Sequence, residues 1–420
     1  MTHDIFFAIC QNEVDGVTPS ERTMWRNFFS QVEAADELGF GCAWVAETHL
    51  SSEVQKRNPG AVIPSFKGEI GLNTDTLQLA QRIFSRTQRI NVGSAIRNIL
   101  CNGGPMAHAE AVRTFLSFQA VDQKGAQGLD RKGAQGLDRN GAQNDTRLLE
   151  LGFASGRFTY SNFPYGVRPR SEFETVAWPA LKGLVFQEAT EIFLRFVRGD
   201  IFSSSDVRPK ILTRAHFRSD DDWSRAVAAY KSMSSVAGAI DAIEVPPFWI
   251  FDQVGVIPFE APLDNLRLTI GAHDAATQEL ANQFMPVGVF NLSITPSHII
   301  EETHQRMARA YHAKGGAWTR SCMPRTLMVF PDRDESIARK QAEKTLATYW
   351  RAMEGTVDPS KVAQAVENAL VGTPAMIIEQ MRARLNKDDR LMLWFDLNNH
   401  DNDSVLTAMR LYMEDVAPHV

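Results

Sequence analysis

Apolar positions along this chain follow two alternating rhythms. Short runs that are apolar at nearly every position, Asp4 to Cys10 (DIFFAIC), Cys42 to Ala46, Arg89 to Ile96 and Leu148 to Ala154, read as strands buried on both faces. Between them lie stretches with apolar residues every three or four positions. Glu21 to Leu38 is the clearest, with Trp25, Phe28, Phe29, Val32, Ala35 and Leu38 on one face and Gly39 as a stop signal. Helical spacing recurs at Thr74 to Arg86, Pro105 to Val121 and within Glu172 to Arg198. In the second half, strands at Leu266 to Gly271, Val287 to Leu292, Arg325 to Phe330 and Leu391 to Leu397 are interleaved with helices at Ala275 to Phe284, Ser297 to Lys314, Glu335 to Met353 and Pro374 to Leu385. A last helix runs from Ser404 to Met413.

Buried strands alternating with helices call for a parallel sheet covered on its outside, and the eight strands read here predict an α/β fold, a (β/α)8 TIM barrel with insertions, as one domain over residues 1–420. The competing doubly wound sheet lacks a GxGxxG after the first strand. Two segments exceed a minimal barrel. Residues 124–147 hold the octapeptide KGAQGLDR twice and then NGAQNDTR, a repeat too short for any solenoid and read as a passive loop. Residues 199–262, with aromatics at Phe217, Trp223, Phe248, Trp249 and Phe251, read as an insertion lying over the pocket like a lid.

Composition narrows the function classes. A chain 44% hydrophobic and 22% charged carries an ordinary globular core. A net charge of −6 without a basic tract gives no electrostatic reason to expect nucleic acid or an anionic membrane. No apolar segment reaches the roughly 18 residues of a membrane span, and the N-terminus opens on a strand without a signal-like leader. Cys10, Cys42, Cys101 and Cys322 are scattered, which suits reduced thiols in a cytoplasmic protein.

Chemistry in a β/α barrel sits at the C-terminal ends of the strands. The second strand ends there on Glu47, Thr48 and His49, and the last brings Trp394, Phe395 and Asp396, followed by Asn398, Asn399 and His400. Glu47 and Asp396 formally satisfy the two carboxylates of a glycosidase. His49 and His400 are too few for a catalytic metal site, so no metal is expected.

The segments ADELGFGCAWVAETH, RINVGSAI, RLLELGFASGRF, VGTPAMIIEQM and LMLWFDLNN with the closing EDVAP, taken in this order, resemble the bacterial luciferase-like monooxygenases, a β/α-barrel family of flavin- and deazaflavin-dependent oxidoreductases. The resemblance implies reduced FMN, supplied by a separate flavin reductase, reacting with O2 to a C4a-peroxyflavin that oxygenates a small organic substrate. Lid aromatics favour an apolar or aromatic one. It also implies catalytic roles for His49, Thr48 and Glu47, where the family often reads Glu-His-His; threonine cannot exchange a proton near pH 7 as histidine can. Ser94 and Ala95 match positions against the flavin ring, and Ser155, Arg157, His273 and Thr277 positions near its phosphate. Asp274 stands where a small hydroxyl residue is expected, and its carboxylate either repels a phosphate or takes its place as a helix cap. Phe7, Asn98, Trp394 and Asp396 are expected to line the substrate pocket. The alternatives are an F420-dependent oxidoreductase transferring hydride and a flavin-binding barrel without catalysis. The family resemblance further implies a homodimer.

Overall fold

Strands and helices form in the order that the apolar rhythm predicts. The structure, a computed structural model, describes residues 1–11, 18–50, 71–130, 147–156, 161–234, 236, 238–271, 274–352, 359–395, 397 and 401–420. Its strands are β1 (Thr2–Phe7), β2 (Cys42–Val45), β3 (Asn91–Asn98), β4 (Leu149–Ala154), β5 (Lys210–Thr213), β6 (Ala242–Val245), β7 (Leu266–Ile270), β8 (Val287–Val289), β9 (Arg325–Pro331), β10 (Leu370–Gly372) and β11 (Arg390–Trp394). The helices are α1 (Glu21–Leu38), α2 (Thr76–Phe84), α3 (Gly104–Asp130), α4 (Glu172–Arg198), α5 (Asp220–Ser234), α6 (Ala275–Ala281), α7 (Ser297–Ala310), α8 (Glu335–Ala352), α9 (Pro359–Asn368), α10 (Pro374–Arg384) and α11 (Asn402–Asp415). α1 shows the local logic: the Ser20 hydroxyl accepts the Thr23 N–H at one end, and Gly39 at φ 89° closes the other.

Nine strands form one parallel sheet in the order β10-β9-β11-β1-β2-β3-β4-β7-β8, and β5 and β6 make a separate antiparallel pair. The nine-stranded sheet is strongly curled. β11 and β4 lie four strand steps apart in it, roughly 19 Å along a flat sheet. Yet Arg390 of β11 donates to Glu150 of β4 at 2.9 Å and to Asp4 of β1 at 2.6 Å, a distance only a curved sheet allows. A single parallel bridge links the far sides: Asn291, just beyond β8, donates to Pro324 O and accepts from Thr326 N–H at the start of β9.

Strand alternation divides the core into two shells. Phe6, Trp44, Met328, Met392 and Trp394 form a buried cluster on the inner face, with Trp44 lying against Gly93, where a Cβ would meet the indole at 2.5 Å. Ile5, Phe7, Ala43 and Val45 belong to the outer cluster beneath the helices. This alternation moves two expected site residues. The register aligns Phe7 with Val45 and Val45 with Ser94, so both Phe7 and Ser94 point outward. Phe7 packs edge-on to Phe28 of α1 at 5.1 Å, and the inward aromatic of β1 is Phe6, 4.9 Å from Trp394.

Other differences concern lengths. The helix expected to end at Val121 continues to Asp130 and takes in seven of the eight residues of the first octapeptide; Gly125 and Gly128 weaken a helix without ending it. The rest of the repeat, 131–146, lies outside the described residues. β10 escaped the sequence reading because three residues carry no periodicity. Among the described residues, no helix is long and apolar enough to cross a membrane.

Candidate active site

Because all nine strands run parallel, their C-terminal ends share one rim, and there the chain after β2 folds back against β3 and α2. Thr48 N–H donates to Asn73 O, and the Asn73 amide returns a bond to Ala46 O at 3.0 Å. This lacing sets Glu47 against the first turn of α2. Glu47 Oε2 accepts from the Thr76 N–H at 2.9 Å and the Thr76 hydroxyl at 2.7 Å, and from Arg97 at 3.1 Å. Its Oε1 lies 3.0 Å from His49 Nε2. Burial works to raise the Glu47 pKa, but Arg97, His49 and Thr76 outweigh it and bring it down to about 2. Glu47 is therefore an ionised, buried carboxylate. As an acceptor-only group it requires a proton on His49 Nε2, which leaves Nδ1 as the ring nitrogen not engaged with it.

Arg97 is held in turn. Its Nε donates to His108 Nδ1 at 2.8 Å, and His108 Nε2 lies 3.0 Å from Cys101 O, which fixes the Nε2–H form of that ring. Burial pushes the His108 pKa down to about 4, with Arg97 adding to the shift, so the ring is neutral. A second contact runs from Arg97 to Asp75, the N-cap of α2, at 3.4 Å. The result is a chain, His108, Arg97, Glu47, His49, whose members are all buried. His108 and Thr76 were not singled out in the sequence. The signal available was a buried acid after a strand, which demands a cation nearby, and Arg97 is the one that β3 delivers.

The remaining expected residues separate into groups. Thr48 donates through its hydroxyl to Gly71 O at 3.0 Å, and so braces the loop. Ala95 follows Ser94 at the rim and turns inward with Ala8 and Ala46 beside the inner cluster; the Ala95–Ile96 peptide is cis. Trp394 also faces inward, whereas Phe395 packs outward on Phe40 and Tyr412. Asn98 ties β3 to the chain beyond β4, accepting from Leu100 N–H and donating to Asn162 at 2.6 Å. Ser155 and Asp274 line a separate cavity of about 540 Å³ between β4, β7 and the N-terminal half of α4. Asp274 Oδ1 accepts the Thr277 N–H at 2.8 Å, so the carboxylate caps α6 itself, and Thr277 is buried with its hydroxyl bonded by Gln187. Arg157, His273, Asp396 and the Asn398 to His400 run lie outside the described residues.

The segment that builds the buried chain carries a likeness in sequence. Residues 5–116, from β1 into α3, match the luciferase-like monooxygenase family model. The match spans 112 of the 420 residues and gives this segment a likeness to that family. None of the curated proteins matches the chain in sequence. Solved structures share the fold over the length of the chain. Monooxygenase RslO1 from Streptomyces bottropensis is 17% identical with a TM-score of 0.64, covering 100% of this chain and 99% of its own. The oxygenating constituent of 3,6-diketocamphane monooxygenase from the CAM plasmid of Pseudomonas putida, a type II Baeyer-Villiger enzyme in complex with FMN, is 13% identical with a TM-score of 0.58 and the same coverage. An F420-dependent secondary alcohol dehydrogenase with an F420-acetone adduct is 11% identical with a TM-score of 0.52, covering 99% of this chain and 98% of its own. At these identities the likeness is one of fold.

Proposed function

We propose that this chain is a flavin-dependent monooxygenase that takes reduced FMN from a separate reductase and uses O2 to oxygenate a small apolar or aromatic substrate. One observation supports this above the others: the Glu47–His49 pair, 3.0 Å apart and buried, lies at the strand-end rim inside the segment that carries the family match. The residues at the rim suit a planar cofactor. Ala8, Ala46 and Ala95 keep side-chain bulk off the inner edge of β1, β2 and β3, so a ring can approach the backbone there. When bound, the flavin supplies the oxygen chemistry. The protein's part is to orient and to exchange protons. Glu47 holds the His49 Nε2–H, Arg97, itself bonded to His108, keeps Glu47 ionised together with Thr76, and His49 Nδ1 is the atom that gives or takes a proton at the reacting centre. The barrel is read as eight strands closed through the Asn291–Arg325 bridge, with residues 199–262 as its cover. The family resemblance extends the reading to a cytoplasmic homodimer.

The test is an anaerobic titration with reduced FMN and, in parallel, reduced F420, followed by mixing with air. Saturable FMN binding with an oxygen-dependent spectral transient supports the monooxygenase. Binding of F420 alone, without such a transient, replaces it with hydride transfer. His49→Asn should bind FMN as the parent does while losing roughly 100-fold or more in turnover; unchanged turnover would remove His49 from the mechanism.

A further inference from the structure

The bridge between Asn291 and Arg325 places a cation at the seam where β8 meets β9. Arg325 opens β9, points outward with Leu327 and Val329, and is only 5% exposed. It forms no ion pair among the described residues. Its Nε is buried without a hydrogen-bond partner. Nη2 donates to two neutral oxygens, Ser297 Oγ and Asn368 Oδ1, each at 3.3 Å. Burial pushes its pKa down and Asp389 works against this, while Arg384 and Arg320 add to the fall and Glu301 opposes it. The guanidinium stays charged all the same. Both acids are committed to Arg320, Glu301 at 2.6 and 2.9 Å and Asp389 at 2.5 Å. A desolvated cation without a counter-charge is costly, and here it points at a helix end.

That end is the start of α7, a helix of 14 residues whose first residue is Ser297. Pro296 before it has no side-chain acceptor and leaves the end uncapped. The Ile299 and Ile300 N–H groups return to Pro296 O, whereas those of Ser297 and His298 have no partner among the described residues. Free N–H groups and the positive end of the helix dipole favour an anion, and a guanidinium already stands beside them. Ser297 and His298 are exposed, so the place is open to solvent. Asn368 holds the approach to α7 in position, donating to Ser293 O at 2.8 Å.

We propose that the N-terminus of α7 and Arg325 together bind one tetrahedral oxyanion of the phosphate class. The Ser297 and His298 N–H groups and the Ser297 hydroxyl donate to it, and Arg325 supplies the charge. The anion is either the free ion or the end of a phosphomonoester. Bound there, it ties the start of α7 to β9 across the seam. The site shares no residue with the Glu47–His49 pair or with the cavity beside α4, and it does not rest on the flavin reading.

Inorganic phosphate and glycerol 2-phosphate are titrated by calorimetry into the full chain at constant ionic strength, with chloride as the control and with FMN absent or present. The same titrations are made on Ser297→Pro and Arg325→Gln. Ser297→Pro deletes one N–H and the hydroxyl; proline suits the first position of a helix, and Pro296 is already extended as a residue before proline must be. Arg325→Gln strands no carboxylate. The expected result is a single phosphate bound whether or not FMN is present, about tenfold weaker in each variant. Phosphate should also raise the melting temperature of the parent and not of Ser297→Pro, with the two equal in chloride. Should Arg325→Gln fail to fold, Ser297→Pro carries the test alone. No phosphate binding to the parent, binding that FMN abolishes, or binding that Ser297→Pro leaves unchanged overturns the proposal. Tighter binding of glycerol 2-phosphate identifies a phosphomonoester, and tighter binding of inorganic phosphate the free ion. Failure of FMN to bind would sink the monooxygenase reading and leave the phosphate result standing.

Discussion

Glu47 accepts four hydrogen bonds with no exposed side-chain surface, and its charge is part of the fold's stability. With its pKa near 2 in the folded chain against an ordinary 4.5, the contribution is fully present above pH 4.5 and is lost as pH falls toward 2. It amounts to something on the order of 3 kcal/mol. Glu47→Gln leaves Arg97 buried beside a neutral amide and should cost about 3–5 kcal/mol in urea denaturation at pH 7. The gap between the two proteins should narrow below pH 4.5; a constant gap would mean that Glu47 is not ionised. His108 works in the same direction over another window. It is neutral when folded down to about pH 4, whereas an unfolded histidine takes up a proton near 6.5. The unfolded state therefore binds more protons between these values, and stability falls as pH drops from 6.5 to about 4, on the order of 3 kcal/mol from this residue. His108→Gln, whose amide oxygen can still accept from Arg97, should flatten that part of a melting-temperature profile. An unchanged slope would assign the effect elsewhere, His3 being the other histidine that burial depresses to about 4.

At the scale of elements, residues 199–262 are tied to α4 and α3 at both ends. Glu188 of α4 accepts the Phe248 N–H and forms an ion pair with Lys210 of β5, and Arg170 covers the Phe248 ring at 3.8 Å. At the return, Arg113 of α3 donates to the carbonyls of Val197, Pro258 and Phe259, a buried guanidinium satisfied by backbone. Arg113→Met removes all three bonds and should release the returning segment first, by about 2–4 kcal/mol locally. Limited proteolysis should then cut near Pro258 under conditions where the parent resists; an identical digestion pattern would show that the insertion is anchored without Arg113.

For the whole molecule, the curl of the sheet and its inner charges are one feature. Asp4, Glu150 and Arg390 come from β1, β4 and β11 and meet at the N-terminal end of the strands, opposite the rim that carries His49. In a β/α barrel that end serves stability. Arg390→Ala strands two acids and should cost about 3–5 kcal/mol in global unfolding while the flavin binding proposed for the far rim is retained. A loss of flavin binding in a still-folded variant would show that the two ends are coupled.

Local pattern determined the element order, the parallel sheet and the rim on which chemistry sits, because strand and helix periods are written in neighbouring residues. The Glu47–His49 pair was legible for the same reason, being two positions apart after a strand. Orientation was decided only by the fold. Phe6 and Phe7 are equally apolar, and which one faces inward depends on register with β2 and β11. Arg97 and His108 became site members because β3 and α3 bring them to a buried acid from another strand. Lys182 and His216 lie 34 positions apart, on α4 and just after β5, and line one cavity because the chain after β5 folds back over that helix. Distance along the chain carries no such information; the packing that buries apolar surface creates it.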